Sequence, residues 1–581
     1  MTSTIDTTLP VDRSHDLSQP LDRLGPDETM KKESRYLRGT IAEGLVVPTT
    51  AAVPGTDIKL MKFHGIYQQD DRDLREERRR QKLEPAYQFM IRVRLPGGVC
   101  TPEQWLKLDE IGRFYGDNSL RLTTRQTFQF HGVLKWNLKR AIKNMNEVLL
   151  DTIAACGDDS RGVMSSVNPS LSSLHAELHA LAKQTSDHVI PRSRAYHEIW
   201  LDEEKVATSG EEEPLYGPTY LPRKFKIGFV IPPVNDIDVY SQDLGFIAIA
   251  GADGELEGFN VAIGGGMGRT DNAPETYPRL ASVIGFIPKD RVLEAAEAII
   301  SVQRDYGDRV VRAHARFKYT IDDKGLDWIK AEIERRLGFD LAPARDYRFD
   351  TNGDVLGWQT GTDGRHHFTL FIENGRVRDQ GEYRLMEGIR EIAKVHKGTF
   401  RVTPNQSLVI SDIEPADRRR IADLLDQYGL AGANGASTLR LNSMACVALP
   451  TCGLAMAESE RYLPTLITKL EPILEKNGLE KEPITLRMSG CPNGCSRPYI
   501  AEIAFTGRAP GKYNVYLGGG FHGQRLNKLY LENVGEPVIL AEFEKLFAHY
   551  AKDRETGERF GDFAIRAGYV AEVTEGRYFN D

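Results

Sequence analysis

The sequence predicts an α+β protein made of two related halves, and two repeated patterns support this fold class. A strand, a helix and a strand follow one another in YQFMIRVRL, PEQWLKLDEIGRFYG and SLRLTTRQTFQFHGV, and the order returns in HHFTLFIENG, RLMEGIREIAKVHKG and TFRVTPNQSLVISDI. The third elements align at an offset of 280, which pairs Arg121 with Arg401. GFNVAIGGG likewise matches KYNVYLGGG, so we expect a pseudo-twofold duplication whose loops differ in length.

Length and charge limit the classes of function. A chain of 581 residues is too long for one core and predicts about two to four domains. Its net charge of -8 argues against general nucleic-acid binding. There is no apolar run long enough to span a membrane, and the polar N-terminus lacks the apolar segment of a signal peptide. We therefore expect a cytoplasmic protein that binds neither nucleic acid nor a membrane.

Two segments outside the repeats are predicted to face solvent. Residues 1–28 are polar, without apolar periodicity, and are expected to form a mobile N-terminal tail. DDRDLREERRRQK, at 70–82, mixes both charge signs at helical spacing. Such a run is usually a solvated helix face, and a docking surface is the alternative.

Four of the six cysteines fall within fifty positions, which is not how a disulfide scaffold is distributed. They form a C-x5-C pair before a predicted helix, LAMAESERYL, and a C-x3-C pair after a predicted strand, ITLRM. Four thiolates suit an iron-sulfur cluster or zinc, and the spacing favours the cluster, with zinc or no metal as alternatives. The four are Cys446, Cys452, Cys491 and Cys495. Cys100 and Cys156 stand apart and are predicted to be ordinary buried thiols.

The duplication predicts one cluster only, because the offset of 280 places Ser166 opposite Cys446 and Ser172 opposite Cys452. The first half offers cations instead. Residues two apart on a strand share a face, so the basic pairs favour an anion-binding cavity over the alternative of solvent-facing strands. The cations are Arg92, Arg94, Arg121, Arg125, Arg161, Lys224 and Lys226.

Several motifs together resemble a known family. SGCPNGCSRPYIAEIAF is similar to the siroheme and iron-sulfur signature of sulfite and nitrite reductases. From about residue 28 the chain resembles the haemoprotein subunits of assimilatory sulfite reductases of the NADPH-dependent type. The matching stretches include ESRYLRGTIAEGL, FHGIYQQDDRD, RLTTRQTFQFHG, LPRKFK and NSMACVALPTC.

The resemblance implies two cofactors, siroheme and a 4Fe-4S cluster, with Cys446, Cys452, Cys491 and Cys495 as cluster ligands. It makes Cys495 the bridge to the siroheme iron. It further assigns two sets of polar residues. Contacts to the substrate anion are expected from Arg92, Arg161, Lys224 and Lys226. Contacts to the siroheme carboxylates are expected from Arg121, Arg125, Gln129 and His131.

The resemblance also divides the chain into six parts. Each half is expected to combine a ferredoxin-like α+β repeat with a mixed α/β siroheme domain. The parts are a tail (1–28), an N-terminal extension (29–86), the first ferredoxin-like repeat (87–150), the first siroheme domain without a cluster (151–345), the second repeat (346–430) and the cluster-bearing siroheme domain (431–581).

The implied activity is the six-electron reduction of sulfite to sulfide, within sulfate assimilation and cysteine biosynthesis. Nitrite reduction to ammonia with the same cofactors is one alternative. A non-catalytic iron-sulfur electron carrier or a zinc-stabilised module is another. No flavin or NADPH motif is found in the sequence, so electrons are expected from a flavoprotein subunit that uses NADPH, or alternatively from ferredoxin.

Overall fold

The computed structural model describes residues 23–167, 171–193, 199–201, 204–207, 213–432 and 435–581. Their α-helices are α1 (Pro26–Glu33), α2 (Ile41–Val46), α3 (Gly55–Leu60), α4 (Arg75–Arg80), α5 (Pro102–Phe114), α6 (Leu138–Glu147), α7 (Ser173–His188), α8 (Val292–Tyr306), α9 (Phe317–Lys324), α10 (Leu326–Leu337), α11 (Leu385–Val395), α12 (Arg418–Gln427), α13 (Thr438–Leu441), α14 (Leu463–Lys476), α15 (Glu536–Asp553) and α16 (Phe560–Arg566). Their strands are β1 (Ile66–Asp70), β2 (Tyr87–Arg92), β3 (Val99–Cys100), β4 (Leu120–Leu122), β5 (Phe128–Val133), β6 (Met164–Ser165), β7 (Ile199–Leu201), β8 (Glu204–Ala207), β9 (Ile227–Val230), β10 (Leu244–Ala250), β11 (Leu256–Ile263), β12 (Ser282–Pro288), β13 (Gly357–Thr360), β14 (His366–Leu370), β15 (Arg376–Val377), β16 (Asp379–Gln380), β17 (Tyr383–Arg384), β18 (Thr399–Val402), β19 (Leu408–Ile413), β20 (Ser443–Ala445), β21 (Leu486–Ser489), β22 (Ile503–Ala509), β23 (Lys512–Leu517) and β24 (Lys528–Val534).

The repeated strand-helix-strand patterns form two matching five-stranded sheets. The first has the order β1-β2-β5-β4-β15, and the second has the order β13-β14-β19-β18-β3. Helices α5 and α6 occupy the places in the first repeat that α11 and α12 occupy in the second. Strand β15 comes from the second repeat and pairs with β4, whereas β3 comes from the first and pairs with β18. Each sheet is therefore completed by the other repeat.

One apolar core lies between these two sheets. It contains buried side chains of both repeats, and Trp105 on α5 lies at their junction. The Trp105 ring centroid lies 5.5 Å from that of Phe128 in the first repeat and 5.0 Å from that of Phe400 in the second. Because burial of large aromatic rings is among the strongest apolar contributions to stability, this contact ties the two repeats together.

A second pair of matching sheets follows the repeats. Their orders are β12-β11-β10-β9-β6 and β20-β21-β22-β23-β24. Three strands are parallel in each, namely β6, β9 and β10 in the first and β20, β21 and β22 in the second. The remaining strands add antiparallel. The predicted duplication is therefore confirmed across both kinds of domain.

The repeated glycine triplets contact neighbouring backbone. A Cβ added at Gly265 would lie 2.2 Å from the carbonyl oxygen of Tyr240, and one at the equivalent Gly519 would lie 2.2 Å from that of Ala501. No side chain fits at such distances, so close approach of two backbones, rather than a tight turn alone, requires glycine at these positions.

Helix α5 begins with a capping box that also fixes the preceding strand. Thr101 Oγ1 accepts a hydrogen bond from Gln104 N at 3.1 Å, and Gln104 Oε1 accepts one from Thr101 N at 3.0 Å. Strand β3 lies directly before this cap and pairs Cys100 with Phe400. Burial raises the pKa of the Cys100 thiol, as expected of an ordinary buried cysteine.

One predicted helix is wrong. Residues 453–462, GLAMAESERY, form turns and bends, and α14 begins only at Leu463, the last residue of the predicted helix. The amides of this stretch bond to the cysteine loops instead of forming a helical ladder. Met456 N donates to Gly490 O at 2.7 Å, and Glu460 N donates to Cys446 O at 3.1 Å. Tertiary contacts therefore override a local helical preference.

Of the two segments outside the repeats, the structure describes the end of the predicted tail and the whole mixed-charge run at 70–82. The predicted tail lies mostly outside the described residues, and its last residues already belong to α1, which begins at Pro26. Helix α4 falls inside the mixed-charge run and has no buried residue, which agrees with a solvated face. No helix in the described ranges is long and apolar enough to cross a membrane.

Candidate active site

Two loops carry the four clustered cysteines, and both follow parallel strands of one sheet. Strand β20 ends directly before Cys446, and β21 ends two residues before Cys491. Adjacent parallel strands end at the same edge of a sheet, so the loops meet there. Cys446 N donates to Met488 O at 3.2 Å, and Gly490 N donates to Cys446 Sγ at 3.3 Å. The strand order therefore brings the two cysteine pairs together.

The four thiols influence one another electrostatically. Burial, and then the neighbouring Cys495, raise the pKa of Cys446 to about 12. Burial and nearby cysteines also raise the pKa values of Cys452 and Cys491. In the described part of the chain, no three Cys, His, Asp or Glu side chains converge on a position for one metal ion. Four thiolates suit an iron-sulfur cluster, and the loops that carry them meet at one edge of the sheet.

A row of polar side chains crosses the first sheet. Strand pairing places Arg92 opposite Gln129, Gln129 opposite Arg121, and Arg121 opposite Arg376. His131 lies two residues after Gln129 and so on the same face. Burial, and then Arg376 and Arg121, hold the pKa of His131 well below its ordinary value. Its Nδ1 has no hydrogen-bond partner among the described residues, so a neutral imidazole faces this row.

Arg121 differs from the other cations because it already has an anionic partner. Its guanidinium pairs with Glu460, and its Nη2 donates to Ala445 O at 2.8 Å, directly before the first cysteine. Arg376 Nε contacts the same carboxylate at 2.6 Å. Arg121 thus links the first sheet to the cysteine loops. A siroheme carboxylate, the contact expected from the resemblance, would compete with Glu460 for this guanidinium.

The turn at residues 123–126 joins the cysteine loops to the basic residues. Thr124 Oγ1 donates to Cys495 O at 3.0 Å, and Arg497 Nη1 donates to Thr124 O at 2.7 Å. The next residue is Arg125. Burial, and then the like charges of Arg161 and Arg497, lower its pKa to about 9. One short segment therefore contacts the Cys495 loop and carries Arg125.

Lys224 and Lys226 lie deep in the protein, and both keep part of their surface accessible. Neither ammonium group donates a hydrogen bond to an acceptor within the described ranges. Burial, and then the charges of Arg223 and Arg161, hold the pKa of Lys224 well below its ordinary value. Burial, and then Arg125, act in the same way on Lys226. The cations that act on one another here as like charges each keep part of their surface accessible, and we call this group the cationic chamber: Arg92, Arg125, Arg161, Lys224 and Lys226.

Arg161 reaches the same chamber from the loop before β6. Its backbone N donates to Phe225 O at 3.0 Å, next to both lysines, and its Nη2 donates to Gly157 O at 3.2 Å. Its Nε has no partner among the described residues. Burial alone would lower the pKa of Arg161, but the neighbouring Tyr67 and Cys156 hold it above its ordinary value.

Two residues that act on the chamber arginines, Tyr67 and Cys156, were missed at the level of sequence. Arg92 Nη1 donates to Cys156 Sγ at 2.8 Å, and the Gln129 amide, with its oxygen turned toward Arg92, accepts from Arg92 Nε at 3.2 Å. Burial, and then Cys156, raise the pKa of Tyr67. Cys156 is buried, as predicted, but it contacts a chamber arginine and is not an ordinary core thiol. A lone cysteine outside any motif offers no pattern that could have found it.

A buried ion-pair centre behind Cys495 was also missed. Asp238 pairs with Arg487 at 2.7 Å and with Arg497. Arg497 Nη2 also donates to Pro404 O at 3.1 Å, in the second copy of the turn that contains Thr124. The two copied turns and the cysteine loop therefore meet at one arginine. The only sequence signal was the position of Arg497, two residues after Cys495.

These residues fit a polyanionic macrocycle beside an iron-sulfur cluster. Two deep ammonium groups without an acceptor are costly to keep charged unless an anion joins them. Siroheme carries carboxylates that would supply such partners. Arg125 lies close enough to Lys226 to act on its charge, and Gln129 contacts Arg92 of the chamber. His131 lies close enough to feel the charge of Arg92. Four thiols are the number and kind of ligand that a 4Fe-4S cluster requires. The chemistry of both donor sets therefore agrees with the two cofactors.

Comparison with known proteins gives the same result. The nitrite and sulphite reductase 4Fe-4S domain matches residues 181–341, and the nitrite/sulfite reductase ferredoxin-like half domain matches residues 80–148 and 359–428. The first range is the copy without cysteines, whereas the four cysteines lie in the second copy. The two half-domain ranges cover the two repeats described above.

Full-length relatives are similar over nearly the whole chain. Those from Nitrobacter hamburgensis and Afipia carboxidovorans are each 68% identical. The alignments cover 98% and 99% of this chain and 99% and 100% of the relatives, respectively. Both are named sulfite reductase (NADPH) hemoprotein beta-component. The solved NirA protein of Mycobacterium tuberculosis is 25% identical, with a TM-score of 0.76 and coverage of 95% of this chain and 97% of NirA. The chain belongs to the nitrite and sulfite reductase family.

Proposed function

We propose that the chain is the haemoprotein of a sulfite reductase and catalyses the six-electron reduction of sulfite to sulfide. One observation carries this proposal: the turn at 123–126 joins the cysteine loop to a deep cationic chamber whose lysines have no acceptor among the described residues. An electron carrier needs the thiols but not the chamber. An anion-binding protein needs the chamber but not the thiols. A reductase of an oxyanion needs both.

Cys446, Cys452, Cys491 and Cys495 would hold the 4Fe-4S cluster, and Cys495 would also bridge to siroheme. Arg125, Gln129 and His131 would contact the siroheme carboxylates, with Arg121 as a further contact that Glu460 limits. When bound, the two cofactors supply an iron site and electrons delivered one at a time. The protein supplies the charge that keeps both cofactors and the substrate in place.

The substrate oxygens would be bound by Arg92, Arg161, Lys224 and Lys226. Arginine forks match two oxygens at once, whereas each lysine provides a point charge and a transferable proton. An entering dianion supplies the missing counter-charge, so it favours the protonated form of each lysine Nζ. Lys224 and Lys226 can then donate these protons to oxygens that leave as water, and Arg92 and Arg161 stabilise the developing negative charge.

Turnover of sulfite tests this proposal directly. The purified protein is produced in a host that makes siroheme. It is supplied with reduced methyl viologen as electron donor and with sulfite or nitrite at equal concentrations. We expect sulfide as the product and a higher kcat/KM for sulfite. Nitrite remains the second candidate, because the matching family models are named for both anions. A higher kcat/KM for nitrite would favour that alternative.

The colour of the protein separates the non-catalytic alternatives. A siroheme protein has haem-like visible bands, a lone cluster has only broad brown absorption, and a zinc module has no visible absorption. Broad brown absorption without haem-like bands would support an electron carrier and remove the reductase proposal.

For the electron donor, we propose a separate flavoprotein that takes electrons from NADPH in the cytoplasm. The names of the relatives support this, since they describe a beta-component of an NADPH enzyme. Ferredoxin is the alternative donor. Sulfite reduction by the purified chain, measured with NADPH plus the flavoprotein component of a relative and then with reduced ferredoxin, distinguishes the two.

A further inference from the structure

Lys31 is a fully buried lysine on α1, far from the chamber lysines in sequence. Its Nζ donates to the carbonyl oxygen of Leu221 at 2.8 Å and pairs with Glu28 at 2.6 Å. Leu221 lies three residues before Lys224. The N-terminal helix therefore contacts the segment that leads directly into the cationic chamber.

This segment, residues 220–223, lies outside the helices and strands, so regular secondary structure does not pair its carbonyl groups. Buried backbone groups need partners, so side chains from other elements must supply them. Each of the four consecutive carbonyl oxygens accepts such a bond. The donors are Arg309 to Tyr220 O (2.7 Å), Lys31 to Leu221 O (2.8 Å), Arg312 to Pro222 O (3.5 Å) and Gln303 to Arg223 O (3.2 Å). We call these four side chains the carbonyl cradle.

The cradle cations have carboxylate partners, whereas no carboxylate in the described ranges pairs with Lys224 or Lys226. Glu28 pairs with Arg309 at 2.5 Å as well as with Lys31. Arg312 pairs with Asp158 at 2.8 Å. The backbone carbonyl oxygen of the same Asp158 accepts a hydrogen bond from Leu221 N at 2.9 Å. Paired and hydrogen-bonded buried charges hold a fixed geometry, so the cradle keeps the segment in one position.

The other side of the lysine segment is joined to the Arg161 loop. Phe225 N donates to Asp159 O at 2.9 Å, and Arg161 N donates to Phe225 O at 3.0 Å. Lys224 and Lys226 flank Phe225, so they are fixed between the cradle and this loop. The separation of the lysines from Arg161 therefore depends on contacts made by α1.

We propose that Lys31 is a positioning residue of the anion site, through which the N-terminal helix sets the placement of Lys224 and Lys226. It touches neither substrate nor cofactor and acts through the carbonyl of Leu221. The inference rests on the proposed function, because it assumes that the cationic chamber binds the substrate anion.

Lys31→Met tests it, with Lys135→Met as a matched control. Lys135 is another buried lysine whose Nζ donates to backbone carbonyls, those of Val47 and Thr50 at 2.7 and 2.6 Å. Both substitutions keep the apolar stem and remove the ammonium, so both are expected to lower Tm. Only Lys31→Met is expected to raise the KM for sulfite, roughly tenfold, with kcat within about twofold of wild type.

An equilibrium readout complements turnover. Sulfite is titrated into each oxidised holoenzyme, and the change in its visible spectrum gives a Kd, with siroheme and iron content measured in the same samples. We expect a roughly tenfold weaker Kd for Lys31→Met at unchanged cofactor content. An unchanged Kd and KM in Lys31→Met, or an equal change in Lys135→Met, overturns the positioning role.

A second variant covers the case in which Lys31→Met does not fold. Gln303→Leu removes the uncharged cradle donor to Arg223 O, and we expect it to weaken sulfite binding in the same direction. Normal sulfite affinity in this variant overturns the inference. If the wild type fails to turn over sulfite, the proposed function is wrong. The Kd comparison, with sulfite and then nitrite as the anion, still tests Lys31 in that case.

Discussion

Replacing Lys224 with Met is expected to change stability and activity in opposite directions. In the part of the cofactor-free chain that the structure describes, nothing accepts a hydrogen bond from the Lys224 ammonium, and burial, followed by Arg223 and Arg161, lowers its pKa well below 10.5. Methionine has a similar length and no charge. Removal of a buried, unpaired charge should therefore stabilise the cofactor-free chain by about 1–3 kcal/mol.

The lowered pKa of Lys224 also fixes the sign of the pH dependence. Between this folded-state pKa and the unfolded value of about 10.4, the unfolded chain holds a proton that the folded chain lacks. The free energy of unfolding of the wild type therefore rises with pH in this window. Below the folded-state pKa, the destabilisation caused by the buried Lys224 ammonium is present in full. The gain in free energy of unfolding from Lys224→Met should be largest at low pH. It should disappear as the pH approaches the pKa of lysine in the unfolded chain.

In the holoenzyme the same substitution removes a cation from the proposed sulfite site. Loss of one such donor costs about 10²–10³ in kcat, and cofactor content should stay normal. The assays are urea unfolding of the cofactor-free protein at neutral and mildly alkaline pH, and sulfite turnover with reduced methyl viologen. Lys183→Met, on the exposed surface of α7, is the control. A destabilised cofactor-free variant, or full turnover, would refute the reasoning.

Three further substitutions test other parts of the site. Cys495→Ser should abolish the electronically coupled spectrum of the two cofactors, and a variant that keeps this spectrum and full activity would remove Cys495 as the bridge. Cys156→Ala leaves Arg92 Nη1 without its sulfur acceptor and should raise the KM for sulfite roughly tenfold, measured by steady-state kinetics at equal siroheme content. Asp238→Asn leaves Arg497 without its carboxylate and should lower the free energy of unfolding by about 3–5 kcal/mol in urea, whereas a loss below about 1 kcal/mol would contradict the ion-pair account.

The duplication was predictable because local patterns record it directly. Strand alternation, the paired Arg121 and Arg401 and the repeated glycine triplets all survive in both copies. The exchange of β3 and β15 between sheets was not predictable. Each is a two-residue strand, too short to carry a periodic signal, and only the tertiary arrangement shows its partner.

The candidate site was likewise predictable in part from the sequence. Cysteine spacing and basic pairs predicted a cluster and an anion cavity, because thiolates and cations have few other uses at such density. The predicted helix after Cys452 was wrong because its amides bond to Gly490 and Cys446. Cys156 and Lys31 could not be found either, since their roles depend on contacts across 64 and 190 residues of chain.

The most direct test of the account is one pair of spectra of the purified protein, visible absorption and paramagnetic resonance, recorded with and without sulfite. We predict haem-like visible bands, a siroheme iron signal that changes when sulfite is added, and a cluster signal coupled to it. The central claim is that the thiols and the cationic chamber form one sulfite-reducing site. It would be contradicted by haem-like bands that do not change when sulfite is added, by a cluster without siroheme, or by a colourless protein.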